Sequence, residues 1–237
     1  MSREAILGSI RRNLRRGALP ADQQAMLAGR LALHPRGPIP ARSLLARGGR
    51  IALFLERLEK EYASFARVAD LAQVARAIAD YLAQQNLPSE LVAAPHPELA
   101  GLPWDSVPLL KVRVGRAQDG DVVGVQQAFA AVAETGTLML PSGPERPTTL
   151  NLLVETEIVV LRASRVVGCY EEAWDLLRAG RAAAEGSGGF MPRNVMLVTG
   201  PSRSADIEQT LELGAHGPRR VHVILVEDDA GASAACR

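Results

Sequence analysis

The sequence predicts an α/β protein built on an open, mostly parallel sheet flanked by helices, with a helical extension at the N-terminus. Short apolar runs alternate with amphipathic segments after residue 50, the order expected of strands and crossover helices. The last predicted strand, residues 221–226, is almost continuously apolar, as strands covered on both faces usually are. With 237 residues, 47% of them hydrophobic, the chain can bury one substantial core with an extension.

The N-terminal 50 residues are predicted to form a short basic helix and a linker. Residues 2–16 form an amphipathic pattern whose apolar face consists of Ile6, Leu7, Ile10 and Leu14. Residues 17–50 are rich in proline and glycine, which indicates a loose connection. We expect an α/β body over residues 51–228 and a disordered tail over residues 229–237, which has nothing to bury.

The elements of the body follow from hydrophobic spacing and turn residues. Residues 51–65 keep helical spacing, and Asp70 is the expected N-cap of a second helix that stops before Pro88. Gly136 is expected to end a third helix. The remaining predicted elements are strands at residues 65–68, 91–94, 107–114, 137–140, 158–161, 195–199 and 221–226, and helices at residues 125–134, 170–178 and 206–213.

Charge is distributed unevenly along the chain. The formal net charge is +1, which gives no general attraction to nucleic acid. Residues 1–50, however, contain ten arginines against two acidic residues, Glu4 and Asp22. This asymmetry suggests a basic arm on a mildly acidic body. The arm is either a solvated helix packed on the body or a docking element for an acidic partner.

Cysteine content and hydropathy exclude several classes of protein. The two cysteines, Cys169 and Cys236, form no paired pattern, so we expect neither a zinc site nor an iron–sulfur cluster held by this chain. Arginines interrupt the N-terminus early, which is atypical of a signal peptide. No run approaches the roughly 18 apolar residues of a membrane span. These features favour a reduced, cytoplasmic setting.

Residues 133–137 form the first candidate site. Glu134 would lie at the negative end of the predicted third helix, which costs a few tenths to about 1 kcal/mol unless a cation or hydrogen bonds offset it. Such a carboxylate is a candidate catalytic group. Thr135, Gly136 and Thr137 would add a polar surface that a ligand can approach closely. Alternatively, the segment is an exposed turn with an ordinary solvated glutamate.

Residues 199–206 form the second candidate site, because they follow an apolar strand and open a predicted helix. Ligands bind at such strand ends in open α/β sheets, and helix N-termini attract anions. The candidate anion-binding residues are Gly200, Ser202, Arg203, Ser204 and Asp206. The negative charge of Asp206 weakens the case for a phosphate. Ser204 is alternatively a plain N-cap.

Residues 214–218 form the third candidate, a loop before the last strand. His216 lies in this loop and is a candidate catalytic residue, although a hydrogen-bonded loop histidine explains it as well. We expect no metal site, since His216 and His222 lie six residues apart with no acidic ligand spaced with them. Phosphate-loop, dinucleotide-binding and nucleophile-elbow motifs are absent from the sequence.

These three segments resemble the hallmark motifs of the lactate utilization protein C (LutC/YkgG) family, which carries the LUD domain. Residues 133–140 resemble its AETGT motif, residues 200–208 its GPSRTADIE motif, and residues 214–225 its GVHGP ending. Relatives tend toward an SLLP…H run after the first motif, whereas residues 151–156 have neither that proline nor that histidine. Arg146, just upstream, is a further candidate anion contact.

The resemblance implies a fold similar to the NagB/RpiA/CoA-transferase group. It also implies that the protein oxidises L-lactate to pyruvate together with iron–sulfur partner proteins, as the subunit without a cluster. The anionic ligand and any cofactor stay unidentified at this point. One alternative is a stand-alone CoA- or phospho-ligand transferase with Glu134 as nucleophile. Another is a non-catalytic interaction module that depends on residues 1–16.

Overall fold

The N-terminal part of the chain forms a compact unit of its own. The computed structural model describes residues 2–15, 17–183, 191–204 and 212–228. Contacts divide the chain into residues 1–38 and residues 39–237. The first unit contains helices α1 (Arg3–Asn13) and α2 (Ala21–Leu33), and neither helix has a buried residue. Helix α1 confirms the predicted N-terminal helix.

Helix α2 corrects the prediction that residues 17–50 are only a loose linker. Pro20 occupies the N-cap position of α2, where the missing N–H of proline costs nothing. The other prolines of the segment lie beyond Leu33, so they end the helix rather than interrupt it. Alanine, glutamine, methionine and leucine fill its interior and favour helix.

In its described part, the second unit contains two main sheets and four α-helices. In chain order its elements are α3 (Arg47–Lys60), β1 (Ser64–Val68), α4 (Val74–Gln84), β2 (Glu90–Ala93), α5 (Pro97–Ala100), β3 (Lys111–Val114), β4 (Val123–Gln127), β5 (Ala130–Val132), β6 (Thr137–Pro141), β7 (Thr156–Arg162), β8 (Val166–Val167), α6 (Tyr170–Ala183), β9 (Val195–Val198), β10 (Arg203–Ser204), β11 (Glu212–Leu213) and β12 (Arg220–Val226).

The larger sheet confirms the predicted fold class. Its six strands lie in the order β1-β12-β7-β4-β2-β3, and all neighbouring strands are parallel. Alternate residues of β7 serve opposite faces: Ile158 belongs to the core cluster that includes helix α4, and Val159 to the cluster that includes helix α3. Burial on both faces explains why β7 and β12 are nearly continuous apolar runs.

The predicted helix over residues 125–134 is wrong. This stretch contains the end of β4 and the whole of β5, and β5 belongs to a second, four-stranded sheet with the order β8-β5-β6-β9. Gln126 and Gln127 belong to the predicted helix, and glutamine side chains are mostly exposed in proteins. Both are buried instead, and hydrogen bonds satisfy their side-chain amide nitrogens. Side-chain partners brought by the fold therefore outweigh the local pattern.

The segment after β9 also differs from its prediction. Of the helix predicted over residues 206–213, residues 206–211 lie outside the described residues. Residues 212 and 213 form β11, which pairs antiparallel with β10. The predicted tail at 229–237 likewise lies outside them. No helix within the described ranges is long and apolar enough to cross a membrane.

Candidate functional site

A cluster of four hydroxyl groups joins the first two motifs. Thr137 Oγ1 lies 2.7 Å from Thr135 Oγ1, 2.9 Å from Tyr170 Oη and 2.6 Å from Thr199 Oγ1. The Thr137 side chain is fully buried, whereas Thr199 is exposed. The pairing of β6 with β9 creates this contact by placing Thr137 beside Thr199. We call these four residues the hydroxyl cluster.

The glycines of the first two motifs pack closely against the end of helix α3. Gly136 has φ +72°, and a Cβ there would lie 2.8 Å from Arg57 Cβ. Gly200 has φ +82°, and a Cβ there would lie 2.3 Å from the carbonyl oxygen of Glu61. Only glycine fits such a backbone approach at positive φ. These positions therefore have a packing role, beyond the ligand contact predicted for them.

The charged residues of the first two motifs form separate ion pairs with residues outside the motifs. Glu134 lies in a β-turn between β5 and β6, not at a helix end, and its Oε1 accepts from Arg42 Nη2 at 2.6 Å. Arg203 does not contact Glu134. Its Nη2 donates to Glu61 Oε2 at 2.5 Å, and its guanidinium lies 4.9 Å from the centre of the Tyr62 ring.

Ser202 joins the second motif to the third. Its backbone N–H donates to Pro218 O at 2.8 Å, and its carbonyl accepts from the Gly214 N–H at 2.9 Å. Its Oγ accepts from the backbone N–H of His216 at 3.2 Å. The three motifs are therefore linked in sequence on one surface, which we call the motif surface. His216 itself is exposed.

Ser204 lies in β10 opposite Glu212, so it continues a strand where a helix cap was expected. Asp206 lies outside the described residues.

Arg146 lies elsewhere, at the carboxyl edge of the parallel sheet. Its Nη2 donates to Gln127 Oε1 at 2.7 Å and lies 3.0 Å from His96 Nε2, while its Nε donates to Gln127 O at 3.3 Å. Gln127 Nε2 in turn donates to Glu98 Oε2 at 3.1 Å, and Arg162 Nε donates to Glu98 Oε1 at 2.8 Å. We call these five residues the Arg146 network.

This network occupies the topological switch point of the sheet. From β2 the chain continues to β3, which lies next to β2 on the side away from β4. From β4 the chain passes through β5 and β6 of the second sheet and then returns to β7, which lies next to β4 on the side away from β2. Gln127 ends β4, and His96 follows β2. Open α/β sheets bind ligands in the crevice outside the carboxyl ends of such a strand pair. The position therefore makes Arg146 a strong candidate for ligand contact.

Burial sets the protonation of the network. It lowers the pKa of His96, and the nearby Arg146 guanidinium lowers it further, so the imidazole is neutral at pH 7. Burial also lowers the pKa of Arg146, which nevertheless stays charged because the pKa of a free guanidinium lies so high. A charged arginine is thus held beside a neutral histidine.

A second polar cluster, around Glu157 in β7, is fully enclosed. Glu157 Oε1 accepts from Asn151 Nδ2 at 2.9 Å and from Gln126 Nε2. Glu157 Oε2 and Gln126 Oε1 have no hydrogen-bond partner. Burial raises the pKa of Glu157 to about 7. The carbonyl oxygen of Asn151 lies 3.2 Å from where a Cβ on Gly217 would stand, so this cluster adjoins the third motif.

His222 is part of the core. Its Nδ1 lies 2.8 Å from Ser64 Oγ, and its ring stacks on Tyr81 with the ring centres 3.8 Å apart. Burial lowers the pKa of His222 to about 4. The side chain is therefore neutral at pH 7 and packs as an aromatic residue.

Sequence reasoning missed His96, Gln127, Glu157 and Arg42. A usable signal existed for Gln127, because two polar residues follow the apolar start of β4 and mark the end of a strand. Glu157 opens an otherwise apolar run, which is where a buried acid stands out. Arg42 carried no signal, since its partner Glu134 is 92 residues away.

Comparisons with known proteins agree with the motifs. Residues 116–226 match the LUD domain family model. The lactate utilization protein C of Bacillus subtilis is 36% identical over 106 residues, which cover 45% of this chain and 42% of that protein. The protein of the same name from Bacillus licheniformis is 34% identical over 115 residues, which cover 48% of this chain and 46% of that protein. The matched region thus spans less than half of the length of these relatives.

A solved structure is also similar. A DUF162 family protein from Deinococcus radiodurans superposes with a TM-score of 0.54 and 25% sequence identity, and the match covers 77% of this chain and 99% of that one. The match therefore covers a larger share of this chain than the segment that matches the family model. Residues 116–226 therefore match the LUD domain family, and this part of the chain is similar to proteins named lactate utilization protein C.

Proposed function

We propose that this chain serves in L-lactate utilization as the cluster-free subunit of a system that oxidises lactate to pyruvate. The observation that carries the proposal is the meeting of the three motifs on one surface through Thr137, Thr199 and Ser202. Relatives named for lactate utilization match the segment that contains these motifs. The proposal extends their role to this chain.

The proposed redox step is divided between this chain and its partners. Oxidation of lactate to pyruvate releases two electrons and two protons, and iron–sulfur clusters of the partner proteins would accept the electrons. On the motif surface, the hydroxyl cluster offers donors and acceptors to a 2-hydroxycarboxylate, with Arg42 and Arg203 as the nearby cations. Glu134 would hold Arg42 by its ion pair and so direct that cation toward the substrate carboxylate. Both protons of the oxidation would pass to water.

The basic N-terminal unit would dock an acidic partner. Its helices leave Ile6, Ile10 and Leu31 exposed, and residues 1–50 carry an excess of eight positive charges. Exposed apolar side chains beside arginines suit a protein surface that is both acidic and partly apolar. A chain that lacks residues 1–38 should therefore lose the partner proteins in a pull-down while its body keeps the same melting temperature.

Growth on lactate tests the proposed function. Deleting the gene should abolish growth on L-lactate and leave growth on glucose intact, and the intact gene should restore it. Glu134→Gln should fail to restore growth, whereas Glu56→Gln, which changes an exposed glutamate on helix α3, should succeed. Normal growth of the deletion strain on lactate would contradict the proposal, as would lactate oxidation by the purified chain alone.

Intact mass spectrometry separates this proposal from the transferase alternative. A transferase that uses Glu134 as nucleophile would form a covalent CoA thioester with an acyl-CoA donor. We expect no such adduct, because the Glu134 side chain is only 11% exposed and is ion-paired with Arg42. An adduct that disappears in Glu134→Gln would replace the subunit role with group transfer.

A further inference from the structure

Two cavities flank the turn that carries Arg146. One has a volume of about 400 Å³, and we call it the arginine cavity. Its lining includes three arginines, two threonines and an asparagine, namely Arg116, Arg146, Arg193, Thr148, Thr149 and Asn194. Within the described part of the chain, no acidic residue lines it. The other cavity, of about 440 Å³, shares Ser142, Gly143 and Arg146 with the first.

Glu145 and Glu98 partly offset the positive charge of Arg146, whereas the other two arginines of the cavity lack such partners within the described residues. Among the described residues, the guanidinium groups of Arg116 and Arg193 have no hydrogen-bond or ion-pair partner. Arg146 is held through Nε and Nη2, and its Nη1 has no hydrogen-bond partner among the residues that the structure describes. Three guanidinium groups with donors to spare therefore line one small space. Like charges brought together in this way repel one another unless an anion joins them.

Hydrogen bonds within the protein hold several residues of the arginine cavity in place. Gln127 and His96 fix the direction of Arg146, and both belong to the switch point between β4 and β2. Arg116 follows β3, so it also lies on the carboxyl side of the sheet. On the opposite wall, Asn194 is tied to Ser142 by two hydrogen bonds, of 2.8 and 3.0 Å. The cavity lies where open α/β sheets bind ligands.

The composition of the two cavities points to the class of ligand. A single carboxylate is satisfied by one arginine fork, whereas three arginines with two threonine hydroxyls suit the several oxygens and the higher charge of a phosphate or pyrophosphate group. The adjoining cavity adds Phe129, Pro141 and Leu177, which suit an organic moiety, and it carries Glu145 and Arg181 at its polar side.

We infer that the arginine cavity binds the phosphate or pyrophosphate group of a small organic ligand whose remaining part occupies the adjoining cavity. Arg146 orients the phosphate from the switch point, and Arg116 and Arg193 neutralise it from the rim. This site is separate from the motif surface and does not depend on the proposed role in lactate utilization.

Calorimetric titration of the full-length chain tests the inference with three probes: inorganic pyrophosphate, adenosine 5′-diphosphate and L-lactate. We expect saturable binding of the first two, tighter for adenosine diphosphate, and none of lactate to this site. Arg116→Gln/Arg193→Gln should weaken pyrophosphate binding by about tenfold or more, as expected when charge-assisted hydrogen bonds are lost. Both arginines are exposed, so the double variant should fold.

The matched control is Arg219→Gln/Arg220→Gln, which removes two exposed charges at the amino end of β12. It should bind pyrophosphate like the original chain. Absence of pyrophosphate binding to the original chain, or equal weakening by both double variants, would overturn the inference. Adenosine diphosphate that binds no more tightly than pyrophosphate would overturn the role of the adjoining cavity. Lactate competing with pyrophosphate at similar concentration would overturn the phosphate class.

Discussion

The motif surface and the arginine cavity use their charges in opposite ways. On the motif surface, Glu134 is paired with Arg42 and Arg203 with Glu61, so each of these charges has an ion-pair partner within the protein. The groups of the hydroxyl cluster likewise form hydrogen bonds with one another. In the arginine cavity, Arg116 and Arg193 have no partner among the described residues, and Arg146 keeps one nitrogen unused.

The difference separates charges that already have an ion-pair partner, as on the motif surface, from charges without one among the described residues, as at the rim of the arginine cavity. Most contacts of the motif surface join one backbone segment to another: Gly136 and Gly200 to helix α3, and Ser202 to the third motif. Changes there should act first on stability. Changes at the rim of the arginine cavity should act on anion binding and leave stability nearly unaltered. The predictions below test that division.

The largest effect is expected at the close approach of Gly200 to helix α3. In Gly200→Ala the added Cβ would meet the Glu61 carbonyl at 2.3 Å in a left-handed backbone conformation. The left-handed conformation costs an alanine roughly 1–2 kcal/mol, and overpacking costs about 1–3 kcal/mol more. Urea unfolding should therefore show a loss of about 2–5 kcal/mol in the free energy of unfolding.

Gly120→Ala is the matched control, because Gly120 has φ +87° but no atom within 4 Å of an added Cβ. It should lose only the conformational part, roughly 1–2 kcal/mol. Equal losses in the two variants would show that the contact with helix α3 contributes nothing, and the packing role assigned to the motif glycines would fail.

The next effect concerns pH and the buried Glu157. Its folded-state pKa of about 7 lies above its ordinary value of 4.5, so the folded chain binds more protons than the unfolded chain between these values. Stability through this group is therefore lost as the pH rises from 4.5 to 7. Glu157→Gln removes the ionisation, and its amide can donate where two oxygens now lack partners. The variant should be more stable than the original chain at pH 8, by up to roughly 3 kcal/mol.

Because His222 also titrates, the effect of Glu157 has to be measured by comparing Glu157→Gln with the original chain. The folded-state pKa of His222, about 4, lies below its ordinary 6.5, so this histidine contributes a rise in stability with pH across an overlapping window. The pH profile of the original chain contains both effects. The difference in unfolding free energy between Glu157→Gln and the original chain contains only the effect of Glu157. A difference that stays constant from pH 5 to pH 8 would mean that Glu157 is ionised throughout that range.

Sequence patterns predicted the six-stranded sheet better than they predicted the second sheet. Strands β7 and β12 are buried on both faces, so their composition alone marks them. Strand β4 of the larger sheet contains Gln126 and Gln127, and the prediction joined it with β5 of the second sheet into one helix. The partners of the two glutamines, Glu157 and Glu98, come from 31 and 29 residues away. A local pattern cannot contain such contacts.

The same limit applies to the candidate sites. The motifs pointed to Glu134, Thr137 and Ser202, and the fold brings their segments together. The motifs could not predict that Arg42 forms an ion pair with Glu134. Nor could they place Arg116 and Arg193 beside Arg146, because these three arginines come from separate loops. Proximity in space, rather than motif membership, distinguishes the arginine cavity.

A smaller effect is expected from the hydroxyl cluster. Thr137→Val keeps the shape of the side chain and removes the hydroxyl that contacts Thr135, Tyr170 and Thr199. Because Thr137 is fully buried, the variant should lose about 1–3 kcal/mol of unfolding free energy. Thr148→Val, at a half-buried threonine that lines the arginine cavity, should change stability by less than about 0.5 kcal/mol in the same urea titration.

The smallest effect compares the charges of the two regions directly. Arg203→Gln breaks the ion pair with Glu61 on the motif surface, and it should cost up to about 1 kcal/mol at low salt. Arg116→Gln/Arg193→Gln removes charges that have no partner, so it should leave the melting temperature unchanged or raise it slightly by relieving repulsion. Thermal unfolding at low and high salt measures both. Salt should shrink each change, because it screens attraction and repulsion alike. A clear loss of stability in the double variant would mean that Arg116 and Arg193 are structural residues, and the contrast between the two regions would disappear.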